Sequence, residues 1–501
     1  MLSVLVFLPL AVAAVLVHPR VGDALARATF VAVSAVEVAL AALAWASYET
    51  PEAGALAHEE RAPWIPGVGS SYHVGVDGLS LPLVVMTTLV FLACAVFARR
   101  EQHRPRLQAA LFLFLEAVCL GLFVSADLIL FFVFFDLSIV AMYFSISGWG
   151  HANAARSALK FFLYTFLGSL ALLLGFVGLY VASDPHTFDM VELAAHPPLQ
   201  GHGVAGGLVL AALLLGLAVK TPTFPFHTWL PPAHSDAPAI GSAVLAGVLL
   251  KMGTYGFVRI AMPMLPDAWR AWAWVVIAVG IVSVLWGALV AFAQTDLKRM
   301  IAYTSVNHMG YVVLAVGAAG VLGDGADDAR RVAITGAVTQ MVSHGLLTAA
   351  LFLLAGSMFD RTGNYDLDAY GGLAGTAPRY ATLFTVAAFG SLGLPAFSGF
   401  IAEFQILAGS IATVPVTAVR ARDPHHGGLV PACAAAGVHR TDHRPLGGVH
   451  RRHAAGVGAG RPAAHGVGVH RSAAAHAARR DRARCRRTCR PRGAVSRRDG
   501  C

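Results

Sequence analysis

Charge is what this chain has least of. Only 13% of its 501 residues are Asp, Glu, Lys or Arg, about half the share of an ordinary soluble domain, and that excludes a water-soluble globule of this size. Cysteine is scarce as well: Cys94 and Cys119 stand alone in apolar runs, and the other four of the 6 lie near the end of the chain. None has the spacing of a metal site or a disulfide framework. No nucleotide loop, flavin fingerprint, haem or iron–sulfur ligand spacing is present. DGLS (Asp77 to Ser80) and GLPAFSGF run straight into apolar segments, so neither is a phosphate loop. Any redox step belongs to another chain. The start, MLSVLVFLPLAVAAVLV, lacks the basic residues of a cleavable signal and is expected to be a first membrane span.

What the chain has is apolar length. Hydrophobic residues make up 56%, in recurrent runs of the length that crosses a bilayer core, roughly 18 to 25 residues. The fold class is an all-α polytopic membrane protein, with spans expected near 2–18, 29–48, 79–98, 107–124, 126–147, 159–182, 206–228, 238–263, 271–292, 300–321, 332–356 and 380–413. Assigning alternate loops to opposite sides puts twelve Lys and Arg, Lys298 and Arg299 among them, on one side and four (Arg61, Arg270, Arg330, Arg331) on the other. By the positive-inside rule the N-terminus is expected outside. The acidic loops carrying Glu49, Glu52, Glu59, Glu60, Asp184, Asp189 and Glu192 then face outward and read as solvated charges.

The stretch KTPTFPFHTWLPPAHSDAPAIGSAVLAGVLLK, 220–251, breaks the seventh span at Pro222 and Pro225, because proline removes a backbone donor and clashes with the preceding turn. The twelfth span, FGSLGLPAFSGFIAEF, is interrupted around Gly393, Pro395 and Gly399. Counted from spans 4 and 9, each is the fourth helix of a group of five, and the two groups start on opposite sides of the membrane. Interrupted helices at matching places in two inverted repeats point to an ion or proton path at mid-membrane depth.

Ionisable residues mark that path. Asp136 lies inside span 5, Lys220 and Lys251 flank the break in span 7, and Glu403 follows the break in span 12, while His308 and His344 sit on spans 10 and 11. Charged groups in lipid are costly and are kept where protons or ions use them. An ammonium shielded from water is disfavoured, a nearby carboxylate favours it, and histidine titrates near neutrality unaided. Asp136 moving against Lys220 would thus switch the lysine between holding and releasing a proton. Taken singly, each of these residues fits a packing role too. Glu116, His227 and His234 are secondary candidates for the path, the two histidines being equally placed to face solvent at the inner end of span 7. Glu37 is a lone carboxylate in an apolar span, Arg259 is expected to snorkel, and Trp269, Trp272 and Trp274 read as an interfacial anchor.

From about residue 420 the character changes: residues 420–501 hold 18 Arg, no Lys and 4 Asp, and no Phe, Tyr, Trp, Ile or Met. That region supplies +14 of charge, leaving residues 1–419 at −5. A reading-frame shift in a GC-rich gene accounts for it, since the codons of Asp423, His425 and His426 read one base on encode Ile, Thr or Met, as a membrane helix requires. The alternative is a basic disordered tail that binds anionic lipid or nucleic acid.

At these residues the sequence resembles the M-subunit (chain 4) family of proton-pumping NADH:quinone oxidoreductase, respiratory complex I. The matching stretches are HVGVDGLSL, DLILFFVFFDLSIVAMYF, ALKFFLYTFLGSL, residues 220–256, DLKRMIAYTSVNHMGY and LGLPAFSGFIAEFQILAGS, which span most of residues 70–419. The pattern AHS-x-AP-x-x-GS-x-x-LAG-x-LLK-x-G-x-YG distinguishes M from the related N and L subunits and from multisubunit sodium/proton antiporters. The resemblance implies an antiporter-like fold with two inverted five-helix repeats, interrupted helices 7 and 12, and 14 helices in all, of which about 12 are recognisable here. It assigns Lys220 as the central lysine of the first half-channel, Lys251 as the connecting lysine, His308 and His344 as axis residues, and Glu403 as the glutamate closing the second half-channel. Asp136 stands where the family has glutamate, one methylene shorter.

The expected organisation is therefore 1–106, N-terminal helices; 107–263, first repeat; 271–419, second repeat with its last helix truncated; and 420–501, the aberrant tail. The implied function is proton translocation in the bacterial inner membrane, coupled to NADH oxidation and quinone reduction elsewhere. The chain itself is expected to hold no cofactor, with NADH, flavin, iron–sulfur and quinone sites in partner subunits, N-like and L-like neighbours in the membrane arm, and no nucleic acid. The alternatives are a subunit of a multisubunit sodium/proton antiporter and a non-pumping structural membrane subunit.

Overall fold

Prolines and capping carboxylates divide the chain where its hydropathy does. A computed structural model describes residues 1–413 except 53, 152 and 322–325, all within the first of two compact units, Met1–Asp442. The tail beyond residue 420, the missing last spans and the frame-shift expectation lie outside the described residues. Helices α1 (Leu2–Leu16) and α2 (Asp23–Ala46) come first, then a hairpin of β1 (Ala57–Ile65) and β2 (Ser70–Val76). Next come α3 (Ser80–Ala98), α4 (Pro105–Val124), α5 (Leu128–Trp149), α6 (Ala154–Ala182), the short α7 (Met190–Ala195), α8 (Gly203–Lys220) and α9 (Leu230–Asp236). The chain continues as α10 (Ala239–Met264), α11 (Pro266–Phe292), α12 (Leu297–Gly320), α13 (Asp327–Thr362), α14 (Pro378–Ser391) and α15 (Ser398–Thr413).

Among the described residues nine helices are long and apolar enough to cross a membrane. With the shorter α1 and α15 and the more polar α12, a helix stands at every expected span. Starts are set locally. Pro105, Pro266 and Pro378 open α4, α11 and α14, where proline's missing N–H costs nothing. Asp127 and Asp189 cap α5 and α7 by accepting from the second and third backbone amides beyond them, worth about 1 kcal/mol each.

Both interruptions occur as expected. Lys220 is the last residue of α8, and beyond it the Trp229 indole N–H donates to the Val219 carbonyl at 3.0 Å. A helix end in lipid needs such a partner. The twelfth span stops at Ser391 and resumes at Ser398, with Gly393 at φ +67 in the gap. Within α10 two π turns, Leu245–Leu249 and Phe257–Ala261, are features the sequence pattern did not announce.

Several expectations for the acidic loops and span ends need correction. The loop read as solvated acids contains the β1–β2 hairpin, paired with Ala62 opposite Tyr72. Asp189 is only 1% exposed and meets His73 Nδ1 at 2.7 Å and Arg61 at 3.2 Å. Glu59 pairs with His73 at 2.9 Å, and Glu60 holds the Met1 amine and the Ser3 hydroxyl. Burial works against a charged His73, but Asp189 and Glu59 outweigh it and raise its pKa. Burial likewise opposes a charged Asp189, which His73 and Arg61 overcome, so its pKa is lowered. Arg259 does not snorkel: it pairs with Asp77 at 2.6 Å and donates to the Tyr255 hydroxyl at 3.0 Å. Trp269 is buried beside Phe257, and only Trp272 and Trp274 keep the exposure of an anchor.

Candidate functional site

The helix break leaves Lys220 at the end of α8, buried among α4, α5 and α8. Its Nζ donates to Ser138 Oγ at 2.8 Å and sits 4.5 Å from the centroid of the Phe135 ring. Asp136, on the same helix as Ser138, lies beside Ser169 of α6 and within electrostatic reach of Lys220, yet its Oδ1 is buried without a partner. Ser138, rather than the carboxylate, is the lysine's direct contact.

Thr221, next to Lys220 in the chain, has its Oγ1 buried with no hydrogen-bond partner. A Cβ on Gly253 of α10 would lie 2.3 Å from that hydroxyl, so Thr221 rests against α10 two residues beyond Lys251. An orphaned hydroxyl at such a place is where a bridging water would be held.

Lys251 is fully buried. Its Nζ donates to the Ala246 carbonyl at 2.5 Å and stands 2.6 Å from Nδ1 of His344. Ala246 belongs to the π turn, whose winding shifts the usual carbonyl partners, and the ammonium takes one of its carbonyl oxygens. The His344 ring centroid is 5.3 Å from that of His308. His308 Nδ1 lies 3.0 Å from Gln340 Nε2 and 3.4 Å from Glu403 Oε1, and its Nε2 lies 3.3 Å from Ser391 Oγ. Lys251, His344, His308 and Glu403 therefore form one connected row across α10, α13, α12 and α15.

The secondary candidates divide. His227 and His234 do not face solvent; they are 5% and 0% exposed. Trp286 donates to His227 Nε2 at 3.1 Å. His234 stacks on Phe352 at 4.5 Å, and neither of its ring nitrogens has a partner. Glu116 stands apart from the row, accepting from Ser34 Oγ of α2 at 2.8 Å.

One residue of the site escaped the sequence reading. Lys298 was counted as a loop charge, yet it is 0% exposed, donates to the Ala237 carbonyl at 2.6 Å and lies 5.0 Å from the Tyr365 ring. His234 is within electrostatic reach of both Lys298 and Lys251, so the row extends toward the basic side of the membrane. The sequence around it offers only Asp296, which caps α12 by accepting from the Arg299 amide and makes no hydrogen bond to Lys298 among the described residues.

A family model described as "NADH:quinone oxidoreductase/Mrp antiporter, TM" matches residues 125–422. NADH-quinone oxidoreductase subunit M of Rickettsia prowazekii is 41% identical over 365 residues, covering 72% of this chain and 71% of its own. NAD(P)H-quinone oxidoreductase chain 4 2 of Thermosynechococcus vestitus is 39% identical over 410 residues, 81% of this chain and 74% of its own. A chain of respiratory complex I from Thermus thermophilus superposes with a TM-score of 0.75 at 30% identity, covering 87% of both chains. A chain of the Mrp complex from Dietzia sp. gives 0.72 at 26% identity, covering 87% of this chain and 77% of its own.

Proposed function

Because the chain belongs to the NADH:quinone oxidoreductase/Mrp antiporter family, on its subunit M branch, we propose that the buried row from Asp136 and Lys220 through Lys251, His344 and His308 to Glu403 carries its protons. The chain is a proton-translocating, multi-pass membrane subunit of NADH:quinone oxidoreductase. The observation that carries the residue assignment is the unbroken contact series Lys251–His344–His308–Glu403.

The chemistry follows from which atoms face which. Lys251 presents a proton to Nδ1 of His344. The imidazole then releases one from Nε2, which is buried without a partner, toward His308 by way of a water. Histidine suits this step because it accepts on one nitrogen and releases from the other. Glu403, whose Oε1 lies 3.4 Å from His308 Nδ1, receives the proton. On the other side, Asp136 approaching Lys220 favours the ammonium, and its withdrawal to Ser169 favours release. Thr221 would hold the water that joins the two halves.

The driving energy would come from neighbouring subunits, N-like and L-like in the membrane arm, with cofactors confined to other parts of the complex. The basic loops support an N-terminus outside the bacterial inner membrane. The division into N-terminal helices and two inverted repeats fits the matching breaks in the seventh and twelfth spans. A second reading, a sodium/proton antiporter subunit, draws on the likeness to the Mrp chain.

Proton uptake by vesicles carrying the assembled complex tests the proposal. Lys220→Ala should lower pumping by roughly tenfold or more, and the parent rate should not depend on sodium. Undiminished pumping contradicts the assignment, a sodium requirement favours the antiporter reading, and loss of assembly favours a structural role.

A further inference from the structure

Glu37 and Glu116 lie at mid-helix in α2 and α4, both 0% exposed. The buried face of α2 runs through Phe30, Val33, Ser34, Glu37, Ala41 and Ala44, and it packs on α3 and α4. Ser34, one turn before Glu37, donates to Glu116 Oε2 at 2.8 Å. Among the described residues that is the only hydrogen bond either carboxyl group makes: both Glu37 oxygens and Glu116 Oε1 are buried with no partner. The two groups are in electrostatic reach of each other. No ion pair to a lysine, arginine or histidine reaches either one among the described residues. Around them are the Phe30 and Phe112 rings, with centroids 6.3 Å apart, and the Cys94 thiol of α3, which is committed to the Ile240 carbonyl at 3.8 Å.

An ionised carboxylate buried with no cation costs several kcal/mol, and two that face each other cannot both ionise cheaply. Bound protons, at most one on each carboxyl group, remove the charge that the three unpartnered oxygens would otherwise bury. On α4, Cys119 follows Glu116 by one turn and lies within electrostatic reach of both Glu116 and Lys220. Cys119 is thus the group through which the pair neighbours the lysine, where the N-terminal helices meet the first repeat.

We propose that Glu37 and Glu116 form a proton-binding carboxyl pair that carries at most one negative charge and exchanges a proton with Lys220. In the exchange a carboxyl O–H bond breaks and an N–H bond forms on the neutral lysine amine, by way of a water, leaving a carboxylate and an ammonium. The pair would hold a proton while Lys220 is empty and stabilise Lys220 once it is charged. The exchange rests on the lysine reading given above; the protonation of the pair does not.

The test uses membrane vesicles carrying the assembled complex, as parent, Glu37→Gln, Glu116→Gln and the double variant. Glutamine keeps the volume and removes the titration. The infrared carbonyl stretch of a protonated carboxyl group, with its shift in heavy water, should be present in the parent at neutral pH and lost in the double variant. Protons pumped per NADH should fall about threefold in Glu116→Gln. An unchanged carboxyl band, or a parent-like pumping ratio, overturns the proposal. If the double variant does not assemble, a hydrophobic carbodiimide reads the parent directly, because it adds only to protonated carboxyl groups. An N-acylurea on Glu37 or Glu116 supports the pair; modification of neither, with other membrane carboxyls labelled, overturns it.

Discussion

The Nζ of Lys251 stands 2.6 Å from Nδ1 of His344, 93 residues further along the chain. Two cations at that distance repel strongly in a dry interior, so the pair carries at most one positive charge and each member sets the state of the other. His344→Leu keeps the volume and leaves Lys251 with the Ala246 carbonyl as its one acceptor. The expected result is a stability loss of about 1–3 kcal/mol and pumping reduced by roughly tenfold, measured by thermal denaturation and by acidification in vesicles.

Gly393 is held at φ +67, and a Cβ there would meet Glu403 Oε2 at 2.6 Å. Gly393→Ala brings backbone strain of about 1–2 kcal/mol and pushes the carboxylate away from His308. Pumping should fall with the complex still assembled. A parent-like pumping rate in Gly393→Ala would count against Glu403 as the terminal group of the row.

Ser138 rather than Asp136 is the direct partner of Lys220. Asp136→Glu adds one methylene of reach and should keep pumping at or above the parent rate. Asp136→Asn, which cannot take a charge, should abolish it. Ser138→Ala should retain assembly and lower the pumping rate several-fold. Parallel initial rates of NADH-driven acidification separate these outcomes.

The β1–β2 hairpin gives a pH dependence whose sign is fixed. The pKa of His73 is raised, so its contribution is present below the ordinary histidine range and is lost as pH rises through the raised value. The pKa of Asp189 is lowered, so its contribution is present above the ordinary aspartate range and is lost as pH falls through the depressed value. The hairpin is therefore held best between the two. The protection of residues 57–76 against hydrogen exchange, taken relative to the base-catalysed intrinsic rate, should fall in alkaline buffer, and His73→Gln should abolish that fall.

How much of this was legible in the sequence depends on the range of the interaction. Pro222, Pro225 and Pro395 act on their own turns, so both helix breaks could be read directly. Lys220, Lys251 and Glu403 stood out because charge is rare in apolar runs. The meeting of Lys251 with His344 is tertiary, and the π turn that offers Ala246 uses residues equally able to form an α-helix. Lys298 looked like a loop charge because it sits beside Arg299 at a span end; only packing under Tyr365 and Ala237 shows it buried. His73 and Asp189 were hidden for the same reason, since their pairing joins two loops distant in the chain.

The most direct test is the number of protons translocated per NADH oxidised by vesicles carrying the complex with Lys251→Ala, the residue that joins the two halves of the row. The account predicts a lower ratio than the parent's, with the subunit still present at the parent level. A ratio equal to the parent's would contradict it.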